Sequence, residues 1–171
     1  MPAYAAFLRA VNVGGTGKLP MSELRRLCEE SGLSDVTTYI QSGNVVFRSK
    51  RTEAGAKKLL ETALAVQLGK PCGVHVRTAD ELRTLLAQNP FPDAAGNQLL
   101  VLFLDEKPPA AALKAVVAAD GEELSACGQH IFIHFPNGQG RSKLKLPLAK
   151  LATGRNLNTV RKVLALLEPL E

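Results

Sequence analysis

The segment VTTYIQSGNVVFR, residues 36–48, decides how the first half of this chain folds. It contains two β-prone runs, residues 36–41 and 44–48, which are joined through Ser42-Gly43. Runs of β-branched and aromatic residues on both sides of a glycine-containing turn predict an antiparallel hairpin. The remaining elements of the half can be placed outward from this hairpin.

The segments on either side of the hairpin predict one helix and one strand each. An apolar run at residues 3–11 predicts a strand, and an apolar stripe at helical spacing follows it until Gly32. After the hairpin, a second helical stripe ends near Gly69, and residues 73–77 return as a strand. The predicted order of the first half is therefore β-α-β-β-α-β.

The second half repeats this plan after a helix that the capping box Thr78-Ala79-Asp80-Glu81 opens. Residues 98–104 are so uniformly apolar that we expect a strand covered on both faces. A helix opened by Pro108-Pro109 and a hairpin around Gly128 follow. Ser142 is then expected to cap a short helix that Pro147 kinks or shortens, before a last helix ends the chain.

The sequence thus predicts an α+β fold of two tandem ferredoxin-like β-α-β-β-α-β units with an added C-terminal helix. We expect a first subdomain at residues 1–91, a linker at 92–97 and a second subdomain at 98–171, together forming one compact unit. The expected repetition is one of topology, because no repeat is visible residue by residue.

Composition indicates a globular protein of the cytoplasm. The chain has 171 residues and a formal net charge of +5, and the excess lies in residues 124–170, which carry seven Lys or Arg and one acid. Three cysteines without CxxC spacing indicate reduced thiols rather than disulfides or a zinc site. No apolar run approaches the ~18 residues that span a bilayer, and no secretory signal is visible, so we expect no membrane partner.

A glycine-rich loop at residues 12–18 lies between the first strand and the first helix. It fails the P-loop pattern, since Asn12 stands where glycine is needed and Leu19 where Ser or Thr is needed. Two readings remain open. The amides of Gly14 and Gly15, with Lys18, could face an anion, or the segment is an ordinary strand-to-helix turn.

The turn of the first hairpin holds a second polar group. The geometry of the turn explains why Gly43 and Asn44 are present, whereas it requires Gln41 and Ser42 less strongly. Ser42 is not expected to be a nucleophile, because no base and no GxSxG elbow accompany it.

His130 and His134 have the HxxxH spacing of a metal-binding pair on a helix, but their segment is predicted to be a strand. Four residues of strand separate their anchors by roughly 13 Å, which is too far for one metal ion, so no metal site is expected. Strand alternation places His130, Phe132 and His134 on one face. That face could stack on bases or could simply be half-buried.

The stretch GRNLNT, residues 154–159, is the most suggestive part of the basic tail. Asn156 is a good N-cap for the last helix, and Arg155 offers a planar fork for phosphate or carboxylate. Asn158 is not required by capping. A ligand-binding role and a structural role remain equally open here.

At these residues the chain resembles a bacterial family known as domain of unknown function 1697. The matching segments are FLRAVNVGGTGKLPM (7–21), LRRLCEESGLSDVTTYIQSGNVVFRS (24–49), VRTADELRTLLAQNPF (76–91), GRSKL (140–144) and TGRNLNTV (153–160). The resemblance implies a tandem pair of ferredoxin-like units and assigns no activity. Leu157 stands where the family pattern has tryptophan.

The leading hypothesis is a protein that binds an anionic, nucleotide-like or nucleic-acid ligand through loops rich in Arg, Asn and Gln. Two alternatives remain, a small enzyme acting on a phosphorylated or carboxylate substrate and a structural or self-associating module. The sequence assigns no catalytic residue, cofactor or oligomeric state. The candidate ligand-binding residues are Arg9, Asn12, Gly14, Gly15, Lys18, Gln41, Ser42, Asn44, Lys143, Arg155, Asn156 and Asn158.

Overall fold

The structure, a computed structural model, describes residues 1–12, 18–114, 116, 118 and 120–171. Residue contacts divide the chain into two compact units. The first unit comprises Met1–Arg83 and Lys162–Glu171, and the second comprises Thr84–Arg161. These bounds differ from the predicted division at residues 92–97, because the end of the chain belongs with the first unit.

The first unit contains a four-stranded antiparallel sheet with the strand order β2-β3-β1-β4. Its central strand β1 pairs with β3 and β4, and β2 lies at the edge beside β3. Two helices connect these strands. The elements are β1 (Ala3–Leu8), α1 (Met21–Glu30), β2 (Ser34–Tyr39), β3 (Asn44–Arg48), α2 (Glu53–Leu68) and β4 (Val74–Arg77).

The predicted hairpin and both predicted helices of this half are confirmed. Thr52 caps α2 by accepting a hydrogen bond from the Gly55 amide at 3.1 Å, and Gly69 ends the helix in the left-handed region at φ 71°. The first strand is shorter than predicted and ends at Leu8 instead of continuing to residue 11. Ala10 adopts a φ of 50°, which lies outside the β region, so the extended conformation of β1 does not continue through it.

The core of this unit lies between one face of the sheet and the two helices. Tyr4, Ala6 and Leu8 project from β1 into the same cluster as buried leucines of α1 and α2. The opposite face is also buried, since Phe7 on β1 is 0% exposed and Arg77 on β4 is 5% exposed. Both faces of this sheet are therefore covered.

The second unit contains another four-stranded antiparallel sheet, with the order β6-β7-β5-β8. Two helices, α3 and α5, extend across the bounds of the units. At the end of the chain, Arg83 on α3 donates hydrogen bonds to Glu168 and Glu171. The elements are α3 (Ala79–Ala87), β5 (Leu99–Phe103), α4 (Ala110–Lys114), β6 (Glu123–Cys127), β7 (His130–His134), β8 (Thr153–Asn156) and α5 (Leu157–Leu167).

One prediction for this half was wrong, and the place of its last strand was not predicted. Ser142 caps no α-helix, because the connection from β7 to β8 contains only short 3-10 helices at Gln139–Arg141 and Pro147–Leu151. Gly138, Gly140 and Pro147 interrupt the α-helical hydrogen-bond pattern there. No strand was expected at Thr153–Asn156, yet β8 forms there by pairing with β5.

The capping box and the buried strand are confirmed. The Glu81 amide donates to Thr78 Oγ1 at 3.2 Å, and the Thr78 amide donates to Glu81 Oε2 at 2.7 Å. On β5, Val101 and Phe103 are 0% exposed, and Leu102 on the other face is 5% exposed. The helix after Pro108-Pro109 is short in the described residues, which do not include Val117.

Candidate functional site

The side-chain amide of Asn12 closes the base of the loop that follows β1. Its Nδ2 donates to the carbonyls of Leu19 at 2.7 Å and Gln41 at 2.9 Å. Its Oδ1 accepts a hydrogen bond from the Leu19 amide at 2.7 Å. Because both Nδ2 hydrogens are used, Asn12 ties Leu19 to the hairpin turn at Gln41.

The turn of the first hairpin is held by its own side chains. Asn44 is fully buried, and its Nδ2 donates to the Tyr39 carbonyl and to Ser42 Oγ, both at 2.9 Å. Gly43 adopts a φ of 88°, and a Cβ there would lie 2.7 Å from Cγ2 of Val11. Asn44 and Ser42 therefore shape the turn, while the side chain of Gln41 is exposed.

Ile40, in the same turn, has an unfavourable backbone conformation. Its φ is 48°, a region that β-branched residues rarely adopt, and its side chain is 47% exposed. Such a conformation costs on the order of 1–3 kcal/mol and persists where the surroundings impose it. The hydrogen bond from Asn12 to the neighbouring Gln41 carbonyl is part of those surroundings.

Arg9 lines a cavity of about 350 Å³ between the loop after β1 and the end of α2, here called the Arg9 cavity. The Arg9 side chain is half-buried and packs over Gly73, where a Cβ would lie 3.6 Å from its Cδ. The Arg9 amide donates to the Gly73 carbonyl at 2.9 Å. Lys70 lines the same cavity, so two cationic side chains share one concave surface.

Cys72 also lines the Arg9 cavity but is not a nucleophile. Its side chain is buried, and its Sγ lies 3.6 Å from the Arg9 carbonyl, to which it donates. Burial raises the pKa of the Cys72 thiol, which keeps it protonated at neutral pH. The thiol is thus a small polarizable part of the cavity wall.

Two buried arginines, Arg77 and Arg155, occupy corresponding positions in the two sheets. Arg77 on β4 pairs with Ala5 of β1, and Arg155 on β8 pairs with Val101 of β5. Each arginine donates from Nη1 to the carbonyl of the preceding residue at 2.8 Å. Each is followed by the residue that caps the next helix.

The burial of Arg155 changes how its role must be interpreted. Its side chain is 7% exposed, and burial lowers the pKa of its guanidinium to about 10. Sequence reasoning expected an accessible anion-binding fork at this position. An anion would instead have to reach a side chain that the fold has largely removed from water.

The neighbours of Arg155 divide between structural and exposed positions. Asn156 caps α5 as predicted, since its Oδ1 accepts from the Thr159 amide at 2.8 Å. Asn158 is exposed and lies against Gly96, where a Cβ would be 2.0 Å from its Oδ1. Lys143 and, in the first unit, Lys18 are also exposed. Gly14 and Gly15 lie outside the described residues.

A pair of carboxyl groups meets where α2 and α3 begin, a contact that sequence spacing could not reveal. Burial, followed by the nearby Glu81, raises the pKa of Glu53 to about 7, and Arg77 partly offsets this. Burial and the nearby Glu53 also raise the pKa of the Tyr4 phenol.

The face of β7 that carries the histidines is covered. His130 is 9% exposed and Phe132 is 0% exposed, so this strand offers no open row of rings for bases. His134, at the end of the strand, is half-buried. In the described part of the chain, no group of three His, Cys, Asp or Glu could hold a metal ion. None of the helices described is long and apolar enough to cross a membrane.

Comparison with known proteins identifies the family. The model of the family described as "Protein of unknown function (DUF1697)" matches residues 1–132. The chain belongs to this family. It is also similar to the solved structure of the conserved bacterial protein SP0830 from Streptococcus pneumoniae, with 26% identity and a TM-score of 0.79. That similarity covers 96% of this chain and 98% of SP0830. No curated protein matches the chain.

Leu157, where the resemblance seen in the sequence has tryptophan, lies beyond the residues that the family model matches. Leu157 is 0% exposed at the start of α5. A leucine at a buried position contributes packing in the way an indole would, although with a smaller side chain. In this chain, position 157 is therefore a core position.

Proposed function

We propose that the protein binds a compact anionic group, a phosphate or carboxylate of a small ligand, in the Arg9 cavity. The observation that carries the proposal is that Arg9 and Lys70 line one cavity of about 350 Å³. Two cations on a concave surface attract an anion, and the guanidinium of Arg9 can bind two of its oxygens at once.

The surroundings of Arg9 favour binding because they are already in place. The Arg9 backbone is held to Gly73, and the loop that follows is braced by the three hydrogen bonds of Asn12. Groups held before the ligand arrives lose little conformational freedom on binding. In this proposal Asn12, Ser42 and Asn44 support the backbone of the loop and the hairpin turn. Gln41 and Lys18 are exposed polar residues of the same two segments.

The proposal extends to ligands of nucleotide type. The shared strand order and the corresponding arginines support a tandem duplication of ferredoxin-like units as the framework. Three free cysteines support a reducing compartment such as the cytoplasm.

Calorimetric titration with inorganic phosphate and with adenosine monophosphate, at two salt concentrations, tests the proposal. Binding should weaken at higher salt, and Arg9→Met or Lys70→Met should reduce affinity about tenfold or more, as expected for loss of one charged hydrogen bond. Lys58→Met is the matched control, because it removes an exposed cation of α2 that does not line the Arg9 cavity. Failure of both probes to bind, or unchanged affinity in both variants, would show that the Arg9 cavity is structural.

A further inference from the structure

The segment between α3 and β5 was expected to be a linker, but the structure shows a folded loop. The Phe91 amide donates to Asn89 Oδ1 at 2.8 Å, and the Ala94 amide donates to the Phe91 carbonyl at 3.1 Å. The Gly96 carbonyl accepts from the Leu157 amide at 3.2 Å, which ties the loop to the start of α5. Pro90 and Pro92 further restrict its backbone.

This loop places an aromatic ring on the end of β7. The ring centroids of Phe91 and His134 lie 5.6 Å apart, with an interplanar angle of 36°. Both side chains are half-buried, so each ring retains some exposed surface. Two adjacent rings of this kind can accept a further planar ring by stacking.

The two rings line a cavity of about 530 Å³, here called the linker cavity. Three prolines, Pro90, Pro92 and Pro136, supply apolar walls, and Asp93 and Gln98 supply polar groups. The volume lies within the range of small-molecule sites, about 300–1,000 Å³. All of these residues belong to the second unit.

The charges around the linker cavity argue against an anion. Among the lining residues that the structure describes, Asp93 is the charged one, and none is Lys or Arg. Glu123, the strand partner of His134 on β6, is a second nearby acid. The carboxylate of Asp93 can accept hydrogen bonds from N–H groups, and the Gln98 amide can both donate and accept. An uncharged or cationic ring that carries N–H donors suits these groups.

We propose that the linker cavity binds a planar nitrogen heterocycle of the nucleobase type, stacked on Phe91 and His134 and donating hydrogen bonds to Asp93. A base with two adjacent N–H donors, as in the Watson–Crick edge of guanine, matches one carboxylate best. The site is separate from the Arg9 cavity and uses different chemistry. The ring could come from a free nucleoside or from single-stranded RNA.

The test uses the full chain, with uncharged guanosine and adenosine as probes and the His134 ring signals in NMR as the readout. Guanosine should shift the His134 signals and should bind more tightly than adenosine, with little dependence on salt. A hexanucleotide RNA forms a further arm. Much tighter, salt-dependent binding of the RNA through the same His134 shifts would identify RNA as the source of the ring, and comparable binding would identify a free nucleoside.

Substitutions separate stacking from general packing. Phe91→Leu should weaken guanosine binding about tenfold, since it removes a stacking ring, whereas Phe91→Tyr keeps the ring and should retain affinity. Asp93→Asn should weaken guanosine more than adenosine. The proposal is overturned if neither nucleoside shifts His134, or if Phe91→Leu binds guanosine as tightly as the unmodified chain and remains folded by circular dichroism. Because these probes carry no phosphate, their failure would leave phosphate binding at Arg9 unaffected.

Discussion

The two sheets have the same strand order but differ in the connection that completes them. In the first unit, α2 (Glu53–Leu68) joins β3 to β4, and its capped ends and buried leucines make it a full part of the core. In the second unit, two short 3-10 helices join β7 to β8. Both sheets have the same strand order although one connection is a long α-helix and the other contains only 3-10 helices. This indicates that strand pairing, rather than the connecting helix, determines the sheet.

The largest expected effect tests whether the two connections contribute unequally to stability. Leu60 on α2 is 0% exposed, whereas Leu148 in the 3-10 segment is only partly buried. We expect Leu60→Ala to lower the free energy of unfolding by about 3 kcal/mol and Leu148→Ala by about 1 kcal/mol. Urea unfolding followed by circular dichroism measures both. Equal costs would mean that the 3-10 segment supports its sheet as strongly as α2 does.

A smaller effect is expected in the two hairpin turns. Gly43 has a φ of 88° and no room for a Cβ beside Val11 and Leu8, whereas Gly128 has a φ of 57° and open space around it. We expect Gly43→Ala to cost about 2 kcal/mol, from backbone strain and crowding, and Gly128→Ala about 1 kcal/mol, from strain alone. Thermal unfolding of the two variants compares them, and a reversed order would contradict the close approach at Gly43.

The smallest effect concerns the junctions that follow the two buried arginines. The junction after Arg77, where α3 begins, has an ionisable pair, Glu53 and Glu81. At the junction after Arg155, where α5 begins, Asn156 caps the helix with an amide. Because the pKa of Glu53 is raised to about 7, the folded chain binds a proton more tightly than the unfolded chain does. The stability of the first junction should therefore fall as the pH rises from about 4.5 to 7.

Glu53→Gln removes this dependence. At pH 8 the variant should be more stable than the unmodified chain by about 1 kcal/mol, a value reduced for solvent screening at this partly exposed site, and the advantage should vanish near pH 4. Urea unfolding at pH 4, 6 and 8 provides the measurement. Glu123→Gln, on an exposed strand residue of the second unit, is the control for losing one carboxylate. A pH-independent difference between Glu53→Gln and the unmodified chain would contradict the raised pKa.

Local sequence signals predicted the elements whose formation depends on local chemistry. The hairpin at residues 36–48, the box between Thr78 and Glu81, and the cap at Asn156 all depend on residues a few positions apart. Strand β8 was missed because Thr153–Asn156 contains Gly and Asn, which have low strand propensity, and it forms only through its partner β5. Arg155 is buried on this strand, which no local sequence signal indicated.

The candidate cavities could be predicted only in part. Arg9 was recognised as a candidate ligand-binding residue from the sequence. Lys70, which lines the same cavity, was not, because it follows the C-terminal end of α2 and lies 61 positions away along the chain. Phe91 was assigned to the end of the first subdomain, and nothing in its neighbourhood in sequence indicates that it stacks on His134. Such contacts depend on which strands become neighbours, and spacing along the chain does not encode that.

The sequence by itself determined the α+β class, the capped helices, the first hairpin and the family, because hydrophobic periodicity and capping chemistry act over a few residues. Only the tertiary structure decided that β8 joins β5, that Arg155 is buried, and that Arg9 and Lys70 line one cavity. Strand pairing brings distant residues together and removes others from water, and both effects depend on the whole sheet. The hairpin at residues 36–48 forms from contacts between residues close in sequence, whereas the sheet that it joins depends on contacts between distant strands.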